Sequence, residues 1–88
     1  MLDPTYSTAF RKDLAKNARR GKDLTKLLTI ACKILAEIPL PPSCEDHALE
    51  GKYAGHRDCH IEPDWILIYR KTKNGVMFVR LGTHSDLF

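Results

Sequence analysis

Arg57-Asp58-Cys59-His60-Ile61-Glu62-Pro63-Asp64-Trp65-Ile66-Leu67-Ile68-Tyr69 is the stretch on which the fold turns. Its last five residues, Trp65 to Tyr69, are β-formers and apolar on both faces, which predicts a central strand. They are also the longest apolar run in the chain, far short of a membrane span. Pro63 has no N–H to give a sheet and interrupts the run, so Arg57 to Ile61 forms a separate strand. Downstream, Lys73-Asn74-Gly75 carries the Asn-Gly hairpin signal, and Val76 to Leu81 returns antiparallel.

Upstream the period changes from two to that of a helix. Leu24, Leu27, Leu28, Ala31, Ile34, Leu35 and Ile38 predict one long amphipathic helix, stopped by Pro39, Pro41 and Pro42. Before it, Ser7 or Thr8 caps a first helix with Phe10, Leu14 and Ala18 as its apolar stripe. Arg19 and Arg20 occupy its last turn, and Gly21 ends it in a left-handed conformation. Short strands at Leu2 to Tyr6 and Ala48 to Gly51 complete the reading. The fold class is α+β, with two N-terminal helices packed on one face of a small antiparallel β-sheet.

At 88 residues, 43% hydrophobic and 28% charged, the chain is one domain, 1–88, with a thin core. The start, Met1-Leu2-Asp3-Pro4, has neither the basic residues nor the apolar stretch of a signal peptide, so the expected location is the cytosol, with no membrane partner. Three cysteines there are expected to be reduced. Net charge is +3, and it is unevenly spread: residues 1–40 sum to +4 and residues 41–88 to −1. Arg11, Lys12, Lys16, Arg19, Arg20, Lys22 and Lys26 face only Asp13 and Asp23, a surface suited to phosphates or to an acidic protein segment. All four histidines lie in the second half.

Strand alternation puts Asp58, His60 and Glu62 on one face, with Arg57, Cys59 and Ile61 on the other. Helices cover one side, so the polar trio is expected on the open side. The same rule aligns Arg80, Gly82 and His84 along the last strand, with Gly82 leaving a gap that a backbone or a phosphate could approach closely. Asp64 enters from the turn at Pro63. Imidazoles, a guanidinium and a carboxylate suit cleavage of RNA by its own 2′-hydroxyl. Histidine serves as base or acid near neutrality, and arginine holds the phosphate without changing charge. This chemistry needs no metal and no cofactor. Cross-strand ion pairs of Arg80 with Asp58 or Glu62 are the structural alternative. A second alternative is a zinc site built from Cys44-x-x-His47 and His56-x-x-Cys59, opposed by the inward direction expected of Cys59.

Three segments in order, His47-Ala48-Leu49-Glu50-Gly51, Arg57 to Tyr69, and Arg80-Leu81-Gly82-Thr83-His84-Ser85-Asp86-Leu87-Phe88, closely resemble the YafQ-type toxins of the RelE/ParE superfamily. The resemblance is nearly continuous over the second half, whereas the first half agrees in layout. It implies a RelE-like βααβββ fold and the toxin of a bacterial type II toxin–antitoxin pair. It further implies a ribosome-dependent endoribonuclease that cuts mRNA beside 16S rRNA in the decoding site, and a small antitoxin partner that wraps the toxin. The family's catalytic positions fall on His47, His60, Asp64 and His84, with Asp58 and Arg80 in support. By that analogy His84 is the leading acid or base, Arg80 clamps phosphate, and Phe88 stacks on a base. The basic stretch that includes Arg11, Lys12, Lys16, Arg19 and Arg20 then meets ribosomal RNA. Tyr53 stands where relatives often carry tryptophan, and His56 has no family role. ParE-type members share the fold, act on gyrase and lack the histidine cluster, so a gyrase-directed or non-catalytic toxin is the alternative function.

Overall fold

The computed structural model describes all 88 residues. In chain order the elements are β1 (Asp3–Tyr6), α1 (Thr8–Arg19), α2 (Leu24–Leu35), β2 (His47–Ala48), β3 (Arg57–Glu62), β4 (Trp65–Lys71), β5 (Gly75–Gly82) and α3 (His84–Leu87). Single 3₁₀ turns at Pro42–Cys44 and Gly51–Tyr53 flank β2. The five strands form one sheet in the order β1-β5-β4-β3-β2. All neighbours are antiparallel except β1, which runs parallel to β5. The sheet has a strand on either side of β4, whose residues Trp65 to Tyr69 are all buried, as their composition predicts.

The main core lies between the helices and one sheet face. Trp65, Leu67 and Tyr69 of β4 and Val76, Phe78 and Leu81 of β5 meet Phe10, Leu27, Ile30 and Ile34 of the helices. On the opposite face Ile66 and Ile68 are covered only by Tyr53 and Leu87, with Leu49 and Val79 alongside. That thin cover leaves most of this face open for polar groups.

The helices differ from expectation in ways that bear on the site. Ser7 caps α1 as predicted, its hydroxyl accepting from the Phe10 N–H at 2.9 Å, and Gly21 is left-handed at φ 81°. The buried face of α1, however, is Phe10, Asp13 and Asn17, while Ala18 is exposed. The cause is the edge of β5. β1 pairs only with Gly75 to Phe78, so the backbone of β5 beyond Phe78 has no strand partner on that side. α1 runs along this edge and its polar side chains take the place of a strand. The Leu81 N–H donates to Asp13 at 3.0 Å, and Asn17 Nδ2 donates to the Leu81 carbonyl at 3.1 Å. Asn17 also accepts from Trp65 Nε1 at 3.0 Å, which satisfies the one polar atom of that buried indole.

α2 begins at the Asp23 cap and ends at Leu35, before the prolines, because Glu37 turns left-handed at φ 57°. Ile38 therefore lies outside the helix, half exposed, and Ile30 rather than Leu28 faces the core. β2 is shorter and earlier than predicted, at His47–Ala48. The Asn74-Gly75 turn uses no positive φ. Gly75 is required there for a different reason: a side chain on it would collide with the backbone carbonyl of Asp3 in β1.

Candidate active site

Two irregularities in the sheet decide which side chains reach the open face. Asp58, His60, Arg80 and Gly82 pair across β4 with Ile68, Ile66, Ile68 and Ile66 respectively. A bulge between Ile68 and Tyr69 of β4 leaves Val79 as an extra residue on β5. Strict alternation from Phe78 would turn Arg80 inward; the bulge turns it out. A second bulge between His60 and Glu62 reverses Glu62. The expectation that Glu62 shares the face of Asp58 and His60 is thus corrected: Glu62 lies toward α2, where Lys22 and Lys26 each reach its carboxylate at 2.9 Å. His47 pairs with Asp58, so one row across the sheet reads His47, Asp58, Ile68, Arg80.

His84 also reaches this face, although not from the strand. β5 ends at Gly82, and His84 opens α3, capped reciprocally by Thr83 and Asp86. The gap at Gly82 is not available to a phosphate, because Asp86 fills it: a β-carbon there would sit 2.8 Å from the Asp86 Cβ. Asp86 is in turn gripped by Arg20 at 2.7 Å and 3.2 Å, with Lys16 at 3.6 Å. Arg20 hydrogen bonding, reinforced by the Thr83 N–H, holds the Asp86 carboxyl far below the usual range. Gly82→Ala is expected to push Asp86 out of its seat, unseat α3 and lower stability by about 1–3 kcal/mol. A thermal melt beside an activity assay checks this, since both are expected to fall together.

Three imidazoles gather here, each beside a carboxylate. The His60 and His84 rings stand edge to face with centroids 5.4 Å apart. The Asp64 carboxylate accepts from both the backbone N–H of His84 at 2.8 Å and its Nδ1–H at 2.6 Å. These two bonds, backbone first, hold the Asp64 carboxyl low and leave Nε2 of His84 as the nitrogen available for proton transfer. His47 Nδ1 donates to the Glu45 carbonyl at 2.7 Å and lies 3.0 Å from Asp58 Oδ1. His60, whose side chain is 14% exposed, has Nδ1 3.3 Å from Glu45 Oε2. Glu45 thus serves two histidines from a left-handed backbone, φ 48°, a conformation uncommon outside glycine.

Asp58 is buried, and its Oδ1 lacks a well-formed hydrogen bond. Burial raises its carboxyl above the usual range, opposed by the His47 and His60 rings and more weakly by His84. A raised carboxyl favours folding below the ordinary carboxylate pKa, and that advantage is lost as pH rises through the folded value. Asp58→Asn is therefore expected to be more stable than the unsubstituted chain at pH 7, by on the order of 1 kcal/mol or ~4–8 °C in Tm. Melts from pH 3 to pH 8 check it, and the gain is expected to vanish at the acid end.

Arg80 does not pair with Asp58 or Glu62. Its Nε and Nη2 donate to Asp13 at 2.7 and 3.2 Å, and Nη1 lies 3.5 Å from the Tyr53 hydroxyl. That bidentate hold, rather than burial, raises the Arg80 pKa and fixes the guanidinium beside the open face. Phe88 is 61% exposed, edge-on to Tyr53 at 5.7 Å and 6.3 Å from the His84 ring. His56 packs edge-on against Tyr53 with ring centroids 6.0 Å apart, its Nδ1 donating to the Ala54 carbonyl. Of the basic stretch, Lys16 and Arg20 are occupied by Asp86, whereas Arg11, Lys12 and Arg19 have no carboxylate partner. The zinc alternative does not match the geometry. Cys44 and Cys59 are in the helix-side core, His47 is on the other face, and no three His, Cys, Asp or Glu side chains are disposed as ligands.

Asp13, Glu45 and Tyr53 also adjoin the site, a role the sequence does not assign to them. For Asp13 a signal existed: with Phe10 and Asn17 it lies on one helical face. The reach of Glu45 depends on a left-handed turn that its sequence does not announce.

The family model for YafQ, a bacterial toxin of type II toxin–antitoxin systems, matches residues 2–88. The chain belongs to the YafQ toxin family. The mRNA interferase toxin YafQ of Escherichia coli K12 is 42% identical over 87 residues, 98% of this chain and 95% of that one. A crystal structure of YafQ from E. coli BL21(DE3) is 40% identical with a TM-score of 0.93, over 100% of this chain and 99% of that one. YafQ in the E. coli DinJ-YafQ toxin-antitoxin complex is 42% identical with a TM-score of 0.90, over 99% and 97% of the two chains. The α+β layout expected of a YafQ-family chain is thus the one observed, with β1 added in parallel at the sheet edge.

Proposed function

We propose that this chain is an mRNA interferase: an endoribonuclease that cuts mRNA on the ribosome and is neutralised by a cognate antitoxin. The observation that carries the reading is the set of three imidazole–carboxylate pairs, His47 with Asp58, His60 with Glu45 and His84 with Asp64, on one open sheet face. The names of the E. coli relatives, an mRNA interferase and a toxin solved with its antitoxin, agree with it.

In the proposed reaction one imidazole removes the proton of a ribose 2′-hydroxyl, and the 2′ oxygen attacks the adjacent phosphorus. The bond from phosphorus to the 5′ oxygen breaks, and a second, protonated imidazole gives that oxygen a proton. The products are a 2′,3′-cyclic phosphate and a 5′-hydroxyl. His84 is assigned to proton transfer through Nε2, with Asp64 orienting the ring. His47 and His60 share proton transfer and phosphate binding, and Asp58 supports His47. Arg80 offers its outer N–H groups to the phosphate while Asp13 holds the fork in place. Phe88 stacks on an unpaired base. Arg11, Lys12 and Arg19, the cations without carboxylate partners, meet the phosphates of mRNA or 16S rRNA.

The test is a translation reaction with two reporter mRNAs, one with a start codon and one without. Cuts in codon phase in the translated message alone are expected. Equal cutting of both messages would remove the ribosome from the proposal, and intact messages with toxicity arising as DNA damage would replace it.

A further inference from the structure

A cleft of about 370 Å³ lies not on the imidazole face but around the corner from it, sharing His60 as a wall. It lies where β3 outruns β2. β2 pairs only with Arg57 and Asp58, so no strand flanks His60 to Glu62 on that side. Ile30, Ile61 and the buried Cys44 make an apolar floor, and Pro41 and Pro63 stand at its ends. Lys26, Thr29 and Ser43 supply a polar rim. We infer that this cleft is a subsite for one unpaired nucleotide of the RNA, adjoining the linkage cut beside His60. The inference rests on the proposed nuclease reading and deepens it.

Size and chemistry both fit. The volume falls in the about 300–1,000 Å³ range of small-ligand sites. The apolar floor of Ile30, Ile61 and Cys44 suits a base plane, which packs on apolar surface whatever its sequence. Lys26 donates one N–H to Glu62 at 2.9 Å and keeps two for a phosphate. Thr29 donates its hydroxyl proton to the Thr25 carbonyl at 2.9 Å, which leaves its oxygen to accept from a base edge. Ser43 is exposed and makes no hydrogen bond through its hydroxyl, so it can donate or accept. A protein strand fits the same edge less well. Only four residues, Cys59 to Glu62, are open, and the bulge between His60 and Glu62 breaks the regular ladder that strand addition requires.

Ser43→Trp fills the cleft from an exposed position, and Lys26→Met removes its cation while Lys22 still holds Glu62. Cleavage of a set of ribosome-bound mRNAs differing at the nucleotides around the cut is measured for each, with wild type beside them. Ser43→Trp is expected to raise KM about tenfold with kcat within about threefold, and to redistribute the cut sites. Lys26→Met is expected to raise KM without redistributing them. Unchanged KM and cut sites in both folded variants would overturn the subsite while leaving the nuclease standing. Unchanged cutting by Ser43→Trp with weaker antitoxin neutralisation would reassign the cleft to a protein partner. Absence of cutting by wild type would reject the nuclease reading itself, and the subsite with it.

Discussion

His84→Ala is expected to slow single-turnover cleavage of ribosome-bound mRNA by a factor of about 10²–10⁴, the usual worth of a positioned acid or base. The fold is expected to survive, because the imidazole is 54% exposed and contributes nothing to the core. α3 keeps its other anchors: the Thr83–Asp86 reciprocal cap, the Arg20–Asp86 pair and the buried Leu87. Circular dichroism and a thermal melt establish that the variant is folded, and retention of antitoxin binding establishes that its surface is intact. The same reasoning gives Asp64→Asn a smaller loss, since the backbone N–H bond persists in part while the hold on Nδ1 weakens. A folded His84→Ala protein that cuts at the wild-type rate would exclude His84 from proton transfer.

Asp13→Ala carries the largest expected cost in stability. One carboxylate there satisfies both the Leu81 N–H at the unpaired edge of β5 and two nitrogens of Arg80. Its loss leaves a backbone donor and a guanidinium, both largely enclosed, without their acceptor. A destabilisation of about 2–4 kcal/mol follows, or a fall of roughly 8–32 °C in Tm. Asp13→Asn is expected to lose less, because its amide oxygen still accepts from one of the two donors. Denaturant melts measure the difference, and activity assayed well below Tm reports on Arg80 once it is released. An Asp13→Ala variant as stable as wild type would mean that water or a rearranged Arg80 replaces the carboxylate.

These two residues also show what sequence can and cannot convey. The central strand, the second helix and the hairpin partners are legible because each rests on a signal local to one segment: an unbroken apolar run, a helical period and an Asn-Gly pair. Alternation along β3 fixes the face of His60, whereas His84 reaches that face from α3 beyond the end of β5, which no strand period conveys. Glu62 was misplaced because a bulge changes the count by one without any mark in the side chains. Asp13 reads as part of a charged surface and Asn17 goes unmarked in the sequence, yet both face inward. Their role is set by a strand edge some 64 to 68 residues away, a tertiary condition that no window of α1 contains. Gly82 was correctly singled out as a close approach, but its visitor is Asp86 from its own chain. Arg80 was expected to be free for phosphate, and half of its fork is already held.

The central claim is that the gathered imidazoles cleave RNA through its own 2′-hydroxyl, and the ends of the products test it most directly. Cleaved mRNA from ribosome-bound reactions is analysed for its terminal groups, with His84→Ala as control. The account predicts 2′,3′-cyclic phosphate on the upstream fragment and 5′-hydroxyl on the downstream one, with both missing in the control. Fragments ending in 3′-hydroxyl and 5′-phosphate, or the same ends at full yield from His84→Ala, would contradict it.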